Sequence, residues 1–167
     1  MATVVKSDIV TNSEATTLVE RGLIAGPLKV TSAHVATGAA LTDNSILPFF
    51  KIHVDANISS LRFASDDLGT TGDINIGFYP GTIAAASLLE ANAVDEDALA
   101  SAIDVNAAAV ALTEIRYQVK AIETVQKKAW ELAGLSARPV YDTFWVAGTL
   151  SEATTAAGDV ILVCHHT

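Results

Sequence analysis

One cysteine, Cys164, stands alone among 167 residues, so no intrachain disulfide is available. It lies in the apolar run VILVCHH, where a small thiol packs like any other hydrophobe and needs no reactive role. A lone thiol also fits assembly in a reducing cytoplasm. Aromatic residues make up only 6% of the chain, and much of the 50% hydrophobic content is alanine. The interior is therefore expected to pack through many small contacts. Basic residues are scarce as well: ten Lys and Arg face nineteen Asp and Glu, for a net charge of −9. Phosphate backbones are held by clustered cations, and Lys127-Lys128 is the one adjacent pair here, expected on a solvated helix face. A nucleic-acid partner is not expected. No run of about eighteen apolar residues occurs, so no membrane-spanning helix is expected either. The start, MATVVKSDIV, lacks the long apolar stretch of a secretory signal.

Catalytic signatures are missing too. The chain contains no GxSxG elbow, no phosphate-binding P-loop and no GxGxxG fingerprint. Four histidines are present, His34, His53, His165 and His166. The last two are neighbours on an expected strand, where successive side chains diverge, so they cannot share one metal ion. The same geometry separates Cys164 from His165 as a thiol–imidazole couple. Asp95-Glu96-Asp97 lacks the alternating ligands and glycine of a calcium loop and reads as acidic residues at a helix N-terminus. Asp66-Asp67 reads as a source of turn hydrogen bonds. Trp130 and Trp145 could line a sugar site, but a core or interface accounts for each equally well. No catalytic, cofactor-binding or metal-binding residue is assigned, and no cofactor is implied. Nothing in the chain supports an enzyme.

What is present is a β pattern. The length fits one domain, with residues 1–16 as an extended arm and residues 17–167 as a β-rich body. Gly22, Gly26 and Pro27 break residues 17–42 into one or two short strands. In FFKIHV, Phe50, Ile52 and Val54 alternate with Lys51 and His53, as a half-buried strand requires. ISSLRFA sets Leu61 and Phe63 against Ser60 and Arg62, and INIGFY directs Ile74, Ile76 and Phe78 inward. The intervening DDLGTTGD offers Gly69 and Gly72 for positive φ. These three strands predict an antiparallel meander. Near the end, VYDTFWVAGT carries bulk on both sides, which predicts a central strand or one covered by a helix. The TLSEATTAAGD segment then predicts a hairpin into the last strand.

A helical insertion is expected over residues 88–134. Its main element is one long covering helix at about 113–133, with Ile115, Val119, Ile122, Val125, Ala129 and Leu132 forming the apolar stripe. Glu123 and Lys127 sit four apart, Gly134 stops the helix, and Pro139 prevents its resumption. The fold class is α+β, mainly β.

Four segments, in order, resemble small structural proteins of tailed bacteriophages. They are LRFASDDLGTTGDINIGFYPG (61–81), VDEDALASAIDVNAAA (94–109), KKAWELAGLSARP (127–139) and TLSEATTAAGDVILV (149–163). The resemblance implies an antiparallel β-sandwich or jelly-roll-like core and a head decoration (cement) protein. Such a protein binds the outer surface of the capsid and bridges major capsid protein subunits, often as a homotrimer or other homo-oligomer. It would be made in the host cytoplasm and reside on the virion. Another virion component, such as a head-fibre base or tail protein, is the alternative. A host-carbohydrate-binding module is a further one. The shared motifs carry over no site residues.

Overall fold

The computed structural model describes the backbone of Ala2–Thr3 and residues 28–106, 108–119, 124 and 127–167. Strands dominate: β1 (Ala2–Thr3), β2 (Lys29–Thr37), β3 (Ile46–His53), β4 (Ile58–Ser65), β5 (Asp73–Pro80), β6 (Asp95–Asp104), β7 (Val110–Glu114), β8 (Thr143–Leu150) and β9 (Gly158–His166). They form two antiparallel sheets with orders β1-β2-β9-β4-β7 and β3-β8-β5-β6. From β2 onward, consecutive strands alternate between the sheets except at β5–β6, the interleaving of a double-sheet jelly roll.

The alternation read from sequence describes the inward faces well. Phe50, Ile52, Leu61, Phe63, Ile74, Ile76 and Phe78 are all buried. Together with Phe49, Ile58, Leu99, Phe144 and Leu162 they fill the space between the sheets. Phe78 and Phe144 touch at 5.1 Å between ring centroids. Each buried Leu, Ile or Phe contributes about 1.5–3 kcal/mol. A bulge between Pro48 and Phe50 shifts the β3–β8 register and lets both Phe49 and Phe50 be buried.

The expected meander is overturned. β3 pairs with β8, β4 with β7 and β9, and β5 with β6 and β8. Residues 66–72 and 151–157 are consequently crossovers between sheets, and the predicted hairpin into the last strand does not exist. Both lie at one end of the sandwich with residues 38–45 and Val105. There Leu68 N–H donates to Val105 O at 3.1 Å, Thr155 N–H to Leu68 O at 3.1 Å, and Thr154 N–H to Leu41 O at 2.9 Å. Gly69 and Gly72 do take positive φ, +115° and +113°.

The long covering helix at 113–133 is overturned as well. Thr113 and Glu114 belong to β7, and the described part of that span holds one short helix, α1 (Ala129–Leu132). Ile115 and Leu132 are buried, but Val119 is exposed, so the apparent stripe is not one face. Ile122 and Val125 lie outside the described residues. Likewise, Asp95-Glu96-Asp97 begins strand β6 rather than a helix. Acidic side chains are tolerated there because the strand lies at a sheet edge. Near 88–94, two single 3₁₀ turns, Ala85–Ser87 and Glu90–Asn92, replace helix.

β8 is central in its sheet, and its second face is covered by residues 81–94 rather than by a helix. Tyr79, Leu88 and Ala147 form a small outer cluster with Ile83 and Trp145 packed on it. Trp145 Nε1–H donates to Ile83 O at 2.9 Å. Lys51 Nζ lies 4.7 Å from the Trp145 ring centre and donates to Gly81 O at 2.7 Å.

Candidate functional site

The residues weighed for chemistry lie apart. His165 and His166 point to opposite sides of β9. His166 is buried, with Nε2 3.1 Å from Thr31 Oγ1, and burial holds its imidazole down at about 4, assisted by Lys29 and His165. It is therefore neutral at ordinary pH. His34 lies on the outer face of the β2–β9 pair, 3.1 Å from Asp159 Oδ2. His53 Nδ1 accepts the Asp55 N–H at 3.1 Å. Among the described residues no three His, Cys, Asp or Glu side chains are grouped to hold a metal ion. Cys164 is fully buried, and burial pushes its thiol well above the usual range.

The acidic pairs behave as local fasteners. Asp67 Oδ1 accepts Gly69 N–H at 2.8 Å, and Asp66 Oδ2 accepts Asp159 N–H at 2.9 Å. Around β6, burial first and then Glu90, Asp97 and Asp95 raise the Glu96 carboxyl above its ordinary value. Trp130 packs on the core from α1, while Trp145 lies under residues 81–94. They share no platform.

Two charged centres were not legible as such. Asp55, in the β3–β4 turn, meets Arg138 Nε at 2.9 Å and Lys128 Nζ at 3.3 Å. Arg138 also reaches Asp142 at 2.9 Å. The Arg138 hydrogen bond holds the Asp55 carboxyl below the ordinary carboxylate range, against a smaller opposing effect of burial. Lys128 thus acts as a clasp rather than as part of a solvated helix face. Beside it, Ala129 N–H donates to Ala56 O at 2.8 Å and Trp130 N–H to Val54 O at 3.1 Å, so α1 is sewn onto the same turn. The second centre is Arg116, fully buried just past β7. Its Nε–H donates to Ile58 O at 3.1 Å and Nη2–H to Thr124 O at 3.1 Å, while Nη1 has no partner among the described residues. Burial lowers the pKa of this guanidinium. Its only sequence hint is a position between Ile115 and Tyr117.

These contacts fasten loops to sheets, and none aims a nucleophile, base or oxyanion donor at a shared point. What the surface offers is exposed apolar area: Leu89, Leu112, Tyr117, Val119, Val140 and Ile161 are all open to solvent.

No protein-family model matches the chain, and no curated protein matches it. Two solved structures do match. A chain in the capsid of Ralstonia phage GP4 superposes with a TM-score of 0.59 at 13% identity, covering 99% of this chain and 97% of that one. A chain in the capsid asymmetric unit of cyanophage Pam1 superposes with a TM-score of 0.51 at 18% identity, covering 90% of this chain and 96% of that one. At these identities the likeness is one of fold, and it extends over nearly the whole length of all three chains.

Proposed function

We propose that this chain is a non-enzymatic phage virion protein that decorates the outer surface of the head and bridges neighbouring major capsid protein subunits. The observation that carries the reading is the near full-length likeness to chains from two phage capsids. The order of the four sequence segments supports it independently. A two-sheet body with hydrogen-bonded crossovers suits a rigid block, and a net charge of −9 disfavours a place against packaged DNA. Repeated attachment on a lattice gains strength from multivalency even where each contact is weak. The protein then acts as a homotrimer or other homo-oligomer, with the arm of residues 1–16, apart from the Ala2–Thr3 pairing to β2, reaching a capsid subunit or an adjacent copy.

Cryo-EM of purified particles tests this. Density for the sandwich on the outside of the head, straddling capsid subunits, is the expected result. Density in the tail, or absence from the particle, overturns it. Removing residues 1–16 is expected to leave folding intact and to lower occupancy on heads; undiminished occupancy refutes the role given to the arm.

A further inference from the structure

Positive charge is scarce on this chain, so the place where it collects is informative. Lys29 on β2 and Lys51 and His53 on β3 line one hollow of about 380 Å³, together with the buried side chains of Thr31 and His166. Both lysines are exposed. Lys51 donates to the Gly81 carbonyl and lies over the Trp145 ring. No ion pair ties either lysine to a carboxylate among the described residues. Asp55 also lines the hollow, but Arg138 and Lys128 already engage it. The hollow is a cationic corner on a chain of net charge −9.

Across the four-stranded sheet, whose edges are β3 and β6, the charge reverses. Glu90, Asp95 and Glu96 rim a shallow hollow of about 570 Å³ beside β6. Neither β6 nor residues 81–94 contain a Lys, Arg or His. The two patches are level with each other. Lys51 lies opposite Trp145, Trp145 opposite Tyr79, and Phe78, the neighbour of Tyr79, opposite Asp95. They also share a face, because Lys51 lies over Trp145 and Glu90 belongs to the segment that covers it.

We propose that the hollow between β2 and β3 receives the acidic β6 edge of a second copy, so that Lys29 and Lys51 of one copy meet Glu90, Asp95 and Glu96 of the next. A sideways displacement by the width of the sheet sets the two patches face to face. The two surfaces differ, so the contact is heterologous, and copies related by rotation close it into a ring. Burial first, and then Glu90, Asp97 and Asp95, hold the Glu96 carboxyl above its ordinary value, a crowding that incoming ammonium groups relieve. The net charges of two copies repel, but at physiological salt exposed charges are screened beyond about 8 Å, and the pairs in contact outweigh them. The assignment rests on the homo-oligomer reading above and names its contact surfaces.

Sedimentation equilibrium of the full-length protein tests the contact, with Lys29→Glu, Glu90→Lys and the double variant. Both substitutions alter exposed side chains and are expected to leave the melting temperature unchanged. Each single reversal is expected to weaken self-association about tenfold. The double variant is expected to recover most of that loss, because it restores opposite charges across the contact. A wild type that stays monomeric, single variants that associate like the wild type, or a double variant no better than the singles overturns the contact. Occupancy on purified heads is read separately: wild-type protein that binds leaves the capsid reading in place, and wild-type protein that does not bind overturns that reading whatever the sedimentation result. If Lys29→Glu lowers head occupancy without altering self-association, the hollow belongs to a shell subunit and the proposal fails.

Discussion

Thr155 Oγ1 occupies the space that a Cβ on Gly69 would need, and the same hydroxyl accepts the Thr70 N–H at 3.0 Å. The two crossovers that stand out in the sequence are thus parts of one interlocked structure. With φ at +115° and a neighbour already in place, Gly69 tolerates no side chain.

Substituting Gly69→Ala is accordingly expected to cost about 3 kcal/mol or more, from the clash and the backbone conformation together. Two controls separate these causes. Gly134 has φ +71° with nothing within 4 Å, so Gly134→Ala should cost about 1 kcal/mol for conformation alone. Gly38 has open space and no positive φ, so Gly38→Ala should change stability by less than about 0.5 kcal/mol. Urea denaturation of the three variants measures the ranking, and a Gly69→Ala protein as stable as Gly38→Ala would contradict the interlock.

Tyr79 and Thr149 form a buried hydrogen bond at 2.6 Å between oxygens, on the outer face of the β3-β8-β5-β6 sheet. Tyr79→Phe leaves the Thr149 hydroxyl buried without that partner and is expected to cost about 1–2 kcal/mol. Thr149→Val should cost a similar amount by stranding the phenol. The double variant is expected to lose less than the sum, because no orphan remains. Strict additivity in a double-mutant cycle would show that the two hydroxyls are not coupled.

Arg116 presents the harder case of a buried cation held by carbonyl oxygens. Arg116→Lys keeps the charge, but a single ammonium cannot reach both Ile58 O and Thr124 O as the guanidinium does. A loss of about 2 kcal/mol is expected. Arg116→Met removes the charge and its desolvation together, so it is expected to be less damaging than Arg116→Lys. Equilibrium unfolding of both variants checks the order, and the reverse order would mean that the charge itself stabilises the fold.

Strand faces were legible because alternation is local: Lys51 beside Phe50 and Ile52 already tells which way each points. Strand partners were not. β3 finds β8, whose Trp145 lies opposite Lys51 and 94 positions away along the chain. Meanwhile the short connection from β3 to β4 looks the same whether it closes a hairpin or crosses between sheets. The helix was misread because Ile115, Val119, Ala129 and Leu132 recur near a period of 3.6 by coincidence, across a strand end, a turn and one short helix. Thr113, a β-branched residue at its start, was the one local hint. Asp55 had no signal and Arg116 only its place between Ile115 and Tyr117, since only the fold decides which charge is buried and which turn receives α1.

His166 makes stability depend on pH in a definite direction. Its imidazole is held down at about 4 by burial, with Lys29 and His165 adding to the effect, whereas in the unfolded chain it titrates near 6.5. The unfolded state therefore takes up a proton first, and stability from this residue is intact above about 6.5 and falls as pH drops toward 4. Between pH 7 and 4.5 the loss is on the order of 2 kcal/mol. Asp55 acts in the same direction at lower pH, because its carboxyl is held below the ordinary value of 3.8 by Arg138 and Lys128. Glu96 opposes them, since a raised carboxyl pKa favours the folded protein as pH falls. Comparing melting temperatures of the wild type and His166→Gln at pH 7 and 4.5 isolates the histidine from both carboxyls. The variant should lose less on acidification than the wild type, and equal losses would place the acid sensitivity elsewhere.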